Sequence, residues 1–495
     1  MAPIGRIDTH GMAEYLTTIG LEVHAQLLTA SKMYCGCPAE THGAAAAPPN
    51  TITCPICQGQ PGTLPVVNAR ALELGMRTGL ALHCSIAPFS KFDRKNYHYP
   101  DLMKGYQISQ YDLPLASDGW LEIETPAGTK RIGIIRVHLE EDTARLLHRR
   151  ENGHAYSLID VNRAGVPLME IVGAPDITTP EEAALYLVKL RQILQYIEAS
   201  SGNMEEGSFR CDANVSVRPA GQAEYGTKVE IKNMNSFKAV RRALEYEVRR
   251  QTEILEAGGT IAQETRGWSD EQGVTVSQRS KEYAHDYRYF PEPDLPPLTF
   301  TPEQVAQVAA QLPELPVARR DRLIATYGLS RDDAELLVQT RPVADYFESA
   351  VAAAGPDKAK PLANLIINDV LKEVQEDASI ADLPLTPAHL VALLALVDEK
   401  VIGISQARAL VPDIVRTGQD PRQLVAERDL GQISDESALE QVVAEVIAGN
   451  PKIVADYRGG KAAALKGLIG PVMRATRGKA NAQVVEELLH KQLDH

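Results

Sequence analysis

Four cysteines near the start of the chain stand as two close pairs, Cys35-Gly-Cys37 and Cys54-Pro-Ile-Cys57. Two such pairs joined by a loop can bring four thiolate sulfurs to the corners of one tetrahedron, the arrangement Zn²⁺ favours. A closed, all-sulfur site is structural, so the spacing predicts a zinc-stapled loop and places the chemistry elsewhere. Six cysteines in 495 residues, four of them clustered, do not make a disulfide framework, which points to a reducing, cytoplasmic compartment.

No apolar run approaches the length needed to cross a bilayer, and Met1 to Glu14 lack the apolar segment of a secretory signal. The formal net charge of −14 excludes a protein that coats nucleic acid non-specifically. One stretch runs against that charge. Between Tyr457 and Asn481 stand Arg458, Lys461, Lys466, Arg474, Arg477 and Lys479, with no acidic residue among them. This reads either as a solvated helix face or as a surface for one polyanionic partner.

The pattern predicts an α+β fold. Residues from about Thr17 to Phe290 read as many strands with few helices, a mixed or antiparallel sheet. The expected helices are Asn68 to Leu82, Pro180 to Ser200 and Phe237 to Ala257. The second opens on Thr179-Pro180-Glu181-Glu182, with an N-cap threonine, proline in the first turn and acids at the positive helix end. A proline-rich linker, Pro291 to Pro302, follows. From Thr301 onward Ala, Leu, Val, Gln and Glu recur at helical spacing, with helix starts at Thr301, Ser330, Thr386 and Ser434. Domains are expected over 1–295, 296–410 and 411–495, the last two all-α. The alanine-rich run Gly43 to Pro49 reads as a flexible loop between the cysteine pairs.

Several strands alternate strictly. In Leu21 to Leu27, Glu22, His24 and Gln26 share one face. In Phe209 to Arg218, Arg210, Asp212, Asn214, Ser216 and Arg218 do so, and Lys228, Glu230 and Lys232 line the next strand, which can pair with it as a hairpin. A row mixing carboxylates, amides, imidazole and guanidinium can coordinate Mg²⁺ through oxygen and hold phosphate through Arg and Lys. A wet outer face with cross-strand ion pairs is the plainer reading of any single strand. The strand Ile132 to Leu139 places Arg136, His138 and Glu140 on one face and ends in Glu140-Glu141-Asp142, three acids that a cation would relieve. Asp160 to Glu170 is another dense polar segment.

Two windows, Lys91 to Tyr106 and Ser277 to Asp294, interleave basic and aromatic residues, including Tyr97, Tyr99, Tyr106, Tyr283, Tyr287 and Tyr289. Such residues stack on bases and meet phosphates, or pin a loop by half-buried rings. The chain has no P-loop, no dinucleotide fingerprint and no nucleophile-elbow serine.

Gly20-Leu-Glu-Val-His24, the paired cysteines, Arg94-Lys-Asn-Tyr-His-Tyr-Pro-Asp101, His138-Leu-Glu-Glu-Asp142, Asp160-Val-Asn-Arg-Ala-Gly165, Phe209-Arg-Cys-Asp-Ala-Asn214, Lys232-Asn-Met-Asn-Ser-Phe237 and His285-Asp-Tyr-Arg-Tyr-Phe290 stand in a familiar order. Over nearly its whole length the chain resembles the B-subunit family of bacterial aspartyl/glutamyl-tRNA amidotransferases (GatB). Gly459 to Met473 is similar to that family's tail, shared with small YqeY-like proteins.

The resemblance implies a ligase that uses ATP to phosphorylate the side-chain carboxylate of glutamate on tRNA(Gln) or aspartate on tRNA(Asn) and then forms the amide. It implies ammonia from an amidase A subunit, a small C subunit, and tRNA as partner. Carried onto this chain, Glu22, His24, Glu140 and Asp212 are the expected catalytic residues, with Mg²⁺ on Glu22, His24, Glu140 and Glu141. Arg210, Asn214, Ser216, Lys228 and Lys232 would face phosphates or the aminoacyl end. Zn²⁺ would sit on Cys35, Cys37, Cys54 and Cys57, and the six tail cations would meet the body of tRNA. A non-enzymatic zinc-bearing tRNA scaffold is the competing reading, and a metal-dependent hydrolase a third.

Overall fold

The computed structural model describes residues 15–39, 47–280, 286–375, 378–430, 436–476, 480 and 482–494. The chain divides into two compact units, Met1–Leu315 and Pro316–His495.

The first unit opens with β1 (Tyr15–Gln26) and α1 (Ala69–Ala81), followed by four short strands: β2 (Ser85–Ile86), β3 (Phe89–Ser90), β4 (Asp93–Asn96) and β5 (Tyr106–Ser109). Next come the long strands β6 (Ala116–Thr125) and β7 (Gly128–Glu141) and a hairpin, β8 (Arg145–Glu151) with β9 (His154–Asp160). Strand β10 (Pro167–Gly173), helix α2 (Pro180–Tyr196), β11 (Phe209–Pro219), β12 (Val229–Lys232) and helix α3 (Phe237–Glu256) follow. The unit closes with β13 (Glu264–Ser269), β14 (Val274–Ser280), β15 (Phe290–Pro291), β16 (Leu298–Thr299) and α4 (Pro302–Ala310).

Nine strands form one sheet in the order β14-β13-β12-β11-β1-β10-β7-β6-β2. Neighbours are antiparallel except β12 and β13. The alternation explains why this sheet forms. Odd-numbered residues of the central strands, such as Leu21, Val23, Met169, Ile171, Cys211, Ala213, Val137 and Leu139, are fully buried in one apolar core. Helices α1, α2 and α3 cover that face, contributing Leu74, Leu187, Leu190 and Leu244. The even-numbered residues are left on the other face.

The expected helix starts are seen as caps. The Asn68 side chain accepts from the backbone N–H of Arg70 and Ala71, Thr179 from Glu182, and Ser236 from Ala239, each worth about 1 kcal/mol. Helix α2 stops at Tyr196 rather than Ser200. Glu198 adopts a left-handed φ of 56° and the Ala199 N–H turns back to the Leu194 carbonyl at 2.9 Å, closing the helix early.

The proline-rich segment is not a free linker. Phe290–Pro291 pairs with β4, Leu298–Thr299 pairs with β3, and α4 packs on α1. Val308, Leu312 and Leu315 join the first core, so the first unit runs to Leu315 rather than stopping at residue 295.

Among the described residues, the regular structure of the second unit is all helical. One apolar core includes Phe347, Leu362, Leu393, Leu410 and Leu424; a separate one includes Leu439, Val443, Leu468, Val472, Val485 and Leu489. Thr301 and Ser330 cap their helices as expected; Ser434 lies outside the described residues, as do Met1 to Glu14 and most of the expected loop over Gly43–Pro49. No helix of the described residues is long and apolar enough to cross a membrane.

Candidate active site

Register places the even-numbered residues of four strands in rows across the face of the sheet opposite the helices. Arg210 lies opposite His24, His24 opposite Glu170, and Glu170 opposite His138. His24 Nε2 stands 3.3 Å from a Glu170 oxygen and 3.7 Å from Glu140; His138 Nε2 reaches the same two carboxylates at 3.3 and 3.8 Å. Ser109 Oγ donates to Glu140 at 3.2 Å. Burial alone would lower both imidazole pKa values, but Glu170 and Glu140 outweigh it: His24 is raised and His138 is held up at about 9. Burial works against the charge of Glu170 too, and the two histidines reverse that, holding the carboxyl far below its usual range. Glu140 is lowered despite burial by His138, Lys95 and His24.

One step beyond this cluster, Asp142 accepts from Arg210 at 3.0 Å and from Gln26 at 2.8 Å. Arg210 and Arg163 overcome its burial and hold it low. On the other side, Asp212 lies opposite Glu22. Asn214 Nδ2 donates to Glu22 at 2.9 Å, and Lys232 Nζ meets Asp212 at 2.6 Å and Glu230 at 3.3 Å. Partial burial works against the charge of Lys232, yet Asp212 and Glu230 outweigh it and raise its pKa well above the ordinary lysine value. Ser216 is buried on the same face, but six residues along β11 from Arg210, about 20 Å at strand spacing. Lys228 is exposed just before β12.

The three side chains that converge on one point are His24, Glu140 and Glu170, whose ligand atoms lie within 4.8 Å of one another. Two carboxylates and an imidazole form a donor set suited to a divalent cation. Glu22 stands outside that triad, two residues along β1 from His24. Glu141 does not belong to it at all. Successive strand residues point to opposite faces, and the Glu141 carboxylate accepts from Lys104 Nζ at 2.5 Å and the Ile108 N–H at 3.1 Å. It lines a cavity of about 230 Å³ with Lys104, Cys35 and Cys57. The expectation of Glu141 beside His24 and Glu140 is therefore corrected.

The two aromatic and basic windows meet beside this face. Phe290 pairs with Arg94, whose guanidinium donates twice to Glu292 at 2.7 and 2.8 Å. Tyr111 stacks on Tyr289 at 4.2 Å, and Lys95 Nζ sits 5.2 Å from the Tyr287 ring. Burial raises the Tyr97 and Tyr289 hydroxyl pKa values; Asp101 and Glu140 add to the first, Glu140 and Glu170 to the second. Tyr97, Tyr289 and Lys95 thus border the acidic cluster. Tyr283 and His285 lie outside the described residues.

The four cysteines come together, their sulfurs within 4.8 Å of one another and Cys54 to Cys57 at 3.9 Å. A tetrahedral Zn–S₄ centre with bonds of about 2.3 Å has edges of about 3.8 Å, so the group fits a metal such as zinc. Hydrogen bonding from Cys35, opposed by burial and helped by the Cys54 N–H and Lys32, lowers the Cys57 pKa to about 4. Asp160 and Asn162 serve this loop: Asp160 accepts from the Asn50 N–H at 3.1 Å and Asn162 from the Ile52 N–H at 2.8 Å.

A family model described as the GatB/GatE catalytic domain matches residues 17–306, and a second, described as the GatB domain, matches residues 345–493. The chain belongs to the GatB family, the B subunits of aspartyl/glutamyl-tRNA amidotransferases. The B subunit of the aspartyl/glutamyl-tRNA(Asn/Gln) amidotransferase of Thermomicrobium roseum is 53% identical over 481 residues, covering 97% of this chain and 99% of the relative. Its counterpart in Roseiflexus sp. is 54% identical over 485 residues, covering 97% and 98%. That of Dehalococcoides mccartyi is 51% identical over 493 residues, covering 98% and 100%. The GatB/GatE match contains the whole polar face and the cysteine cluster.

The GatB-domain match contains the tail. Arg458, Lys461, Lys466 and Arg474 are exposed, Lys461 pairing with Asp456 at 3.0 Å. Arg477 and Lys479 lie outside the described residues. His138, Glu170 and Lys95 fall in segments the sequence marks as polar or basic, but no catalytic or metal-binding role is expected of them there. Glu170 had a signal: it is the single charge in Pro167–Gly173, a strand buried at every position, and a buried carboxylate requires partners.

Proposed function

We propose that the polar face transfers the γ-phosphoryl group of ATP to the side-chain carboxylate of glutamate on tRNA(Gln) or aspartate on tRNA(Asn), and that ammonia then displaces phosphate to leave the amide. The convergence of His24, Glu140 and Glu170 beside Arg210 and Lys95 carries this reading. Phosphoryl transfer asks a protein for positioning and charge neutralisation more than for covalent help, and this face offers both signs of charge in fixed register.

In the first step a substrate carboxylate oxygen attacks the γ-phosphorus, the bond to the β-phosphate oxygen breaks and ADP leaves. In the second, the ammonia nitrogen attacks the acyl carbon, phosphate departs and the surplus ammonium proton is released. His24, Glu140 and Glu170 would hold the divalent ion, Mg²⁺ in this reading, with Glu22 as an outlying oxygen donor; when bound it neutralises charge on the triphosphate. Arg210 grips a phosphate oxygen in exchange for Asp142, and Lys232 offers its third N–H donor while staying on Asp212. Asp212 keeps Lys232 charged and aimed. Asn214 fixes Glu22, and Ser216 and Lys228 extend the face toward the distal end of a long substrate. Tyr97 and Tyr289 wall the cluster and limit water, which would otherwise hydrolyse the activated acyl group.

The cysteine quartet holds structural Zn²⁺ and keeps the loop next to the sheet. An amidase A subunit supplies ammonia from glutamine, a small C subunit joins the complex, and residues 411–495 form a YqeY-like tRNA-binding tail working in the cytoplasm. The decisive measurement is ATP hydrolysis by the assembled complex. Misacylated tRNA stimulates it, Glu140→Ala removes it, and ammonium salt replaces glutamine in amide formation. Turnover without ATP would make the chain a metal-dependent hydrolase. ATP hydrolysis that ignores Glu140 and Glu22 would leave only a scaffold.

A further inference from the structure

Strands β7 and β10, which carry Glu140 and Glu170, are joined by the hairpin β8–β9. Among the described residues this hairpin is a separate two-stranded sheet outside the main one. Arg145 pairs with Asp160, Leu147 with Leu158, Arg149 with Tyr156 and Glu151 with His154 on one face; Leu146 with Ile159, His148 with Ser157 and Arg150 with Ala155 occupy the other. A lone two-stranded ribbon is marginal in water, yet this one leaves Tyr156 43% and Leu158 50% exposed. Arg145, Arg149 and Arg150 are exposed and have no ion-pair partner among the described residues. The hairpin's two carboxylates are engaged locally: Glu151 accepts from the Tyr156 hydroxyl at 3.2 Å, and Asp160 from the Asn50 and Asn162 N–H groups at 3.1 Å.

Three bare guanidinium groups on a chain of net charge −14 call for an anionic partner. Their distribution selects the kind. Arg145 and Arg149 stand on one face of the ribbon and Arg150, beside His148, on the other. A flat protein surface would meet one face, whereas a polyanion that wraps the ribbon meets both. Tyr156, flanked by Arg149 and Leu158, offers a plane on which a base can stack. We infer that the hairpin is an RNA-gripping ribbon for the aminoacylated strand entering the site: Arg145, Arg149 and Arg150 hold its phosphates and Tyr156 stacks on a base. The inference rests on the proposed function, since that reading brings RNA to the end of β7 and β10 from which the hairpin projects.

The test uses the assembled complex and misacylated tRNA, with binding measured from low to high salt. Replacing Arg145, Arg149 and Arg150 together by Ala is expected to weaken binding at least tenfold and to reduce the salt slope by about 2, because each lost phosphate contact removes about 0.7–0.9. Tyr156→Ala should weaken binding while leaving the slope unchanged. The triple Arg→Lys variant should keep the slope, which separates charge from folding. ATP hydrolysis without RNA should be the same in all variants. Unchanged affinity and slope in the triple Ala variant would overturn the inference. So would loss of a partner subunit from that complex on gel filtration, which would make the hairpin a protein interface. If the unaltered complex binds RNA through the hairpin but shows no RNA-stimulated ATP hydrolysis, the proposed function fails and the ribbon stands.

Discussion

Glu140 and Glu141 are adjacent in the chain and serve opposite faces of one sheet. The Glu140 carboxylate lies 3.7 Å from His24, while that of Glu141 accepts from Lys104 at 2.5 Å in the cavity it shares with Cys35 and Cys57. The strand period of two separates them although their chemistry is identical. Glu140→Gln should lower divalent-cation affinity at least tenfold, within the range of about 10–100-fold seen when a metal site loses one supporting group. Glu141→Gln should leave it within about twofold by the same reasoning. Isothermal titration with Mg²⁺ or Mn²⁺ decides, and equal losses in both variants would contradict the assigned faces.

The cysteine cluster should hold one Zn²⁺ per chain by elemental analysis. Cys54→Ser, or prolonged chelation, should remove it and lower the melting temperature by about 3 °C or more, since metal binding and folding share free energy. Divalent-ion binding at His24, Glu140 and Glu170 should survive in Cys54→Ser. A metal-free protein with the same melting temperature would show the quartet to be idle.

In the second unit, Glu348 accepts from Arg322 at 2.7 Å and from Arg319 at 2.8 Å. Burial would raise its pKa, but Arg322 and Arg319 prevail and lower it. A lowered folded-state value means its stabilisation is fully present above the unfolded value of about 4.3 and is lost as pH falls through the folded one. Unfolding curves for the parent and Glu348→Gln should therefore differ most near neutrality and converge on acidification below about pH 4. A gap that widens in acid would refute the sign.

Tyr186 is fully buried in the first core, and its hydroxyl has no partner among the described residues. Leaving such a group unpaired costs about 1–3 kcal/mol. Tyr186→Phe should thus leave the melting temperature unchanged or raise it. A clear drop would reveal a bond to the hydroxyl that the fold does not account for.

Replacing Lys461, Lys466 and Arg474 by Ala should weaken tRNA binding and flatten its salt dependence by about 2, given about 0.7–0.9 per phosphate contact. All three are exposed. Identical binding at several salt concentrations would exclude the tail from RNA recognition.

Much of this was legible along the chain. Alternation in Leu21 to Leu27 and Phe209 to Arg218 assigned His24, Arg210 and Asp212 to polar faces, and Thr179-Pro180-Glu181-Glu182 marked a helix start, because strand period and capping are local properties. Glu141 was misassigned because acidity hid its parity. Glu170 closes a segment that reads as polar, but its role is not legible there, because its partners His24 and His138 come from two different strands. The proline-rich segment read as a linker because its pairing with β3 and β4 is set by residues some two hundred positions earlier.

Residue order alone settles which side chains can share a face and where the helices begin. Those follow from geometry repeated every two or three to four residues. It took the assembled sheet to put β1 between β10 and β11, so that His24 meets Glu170 rather than some other acid. Strand order is fixed by burying one continuous apolar face beneath three helices, a condition satisfied by the whole chain and by no segment alone.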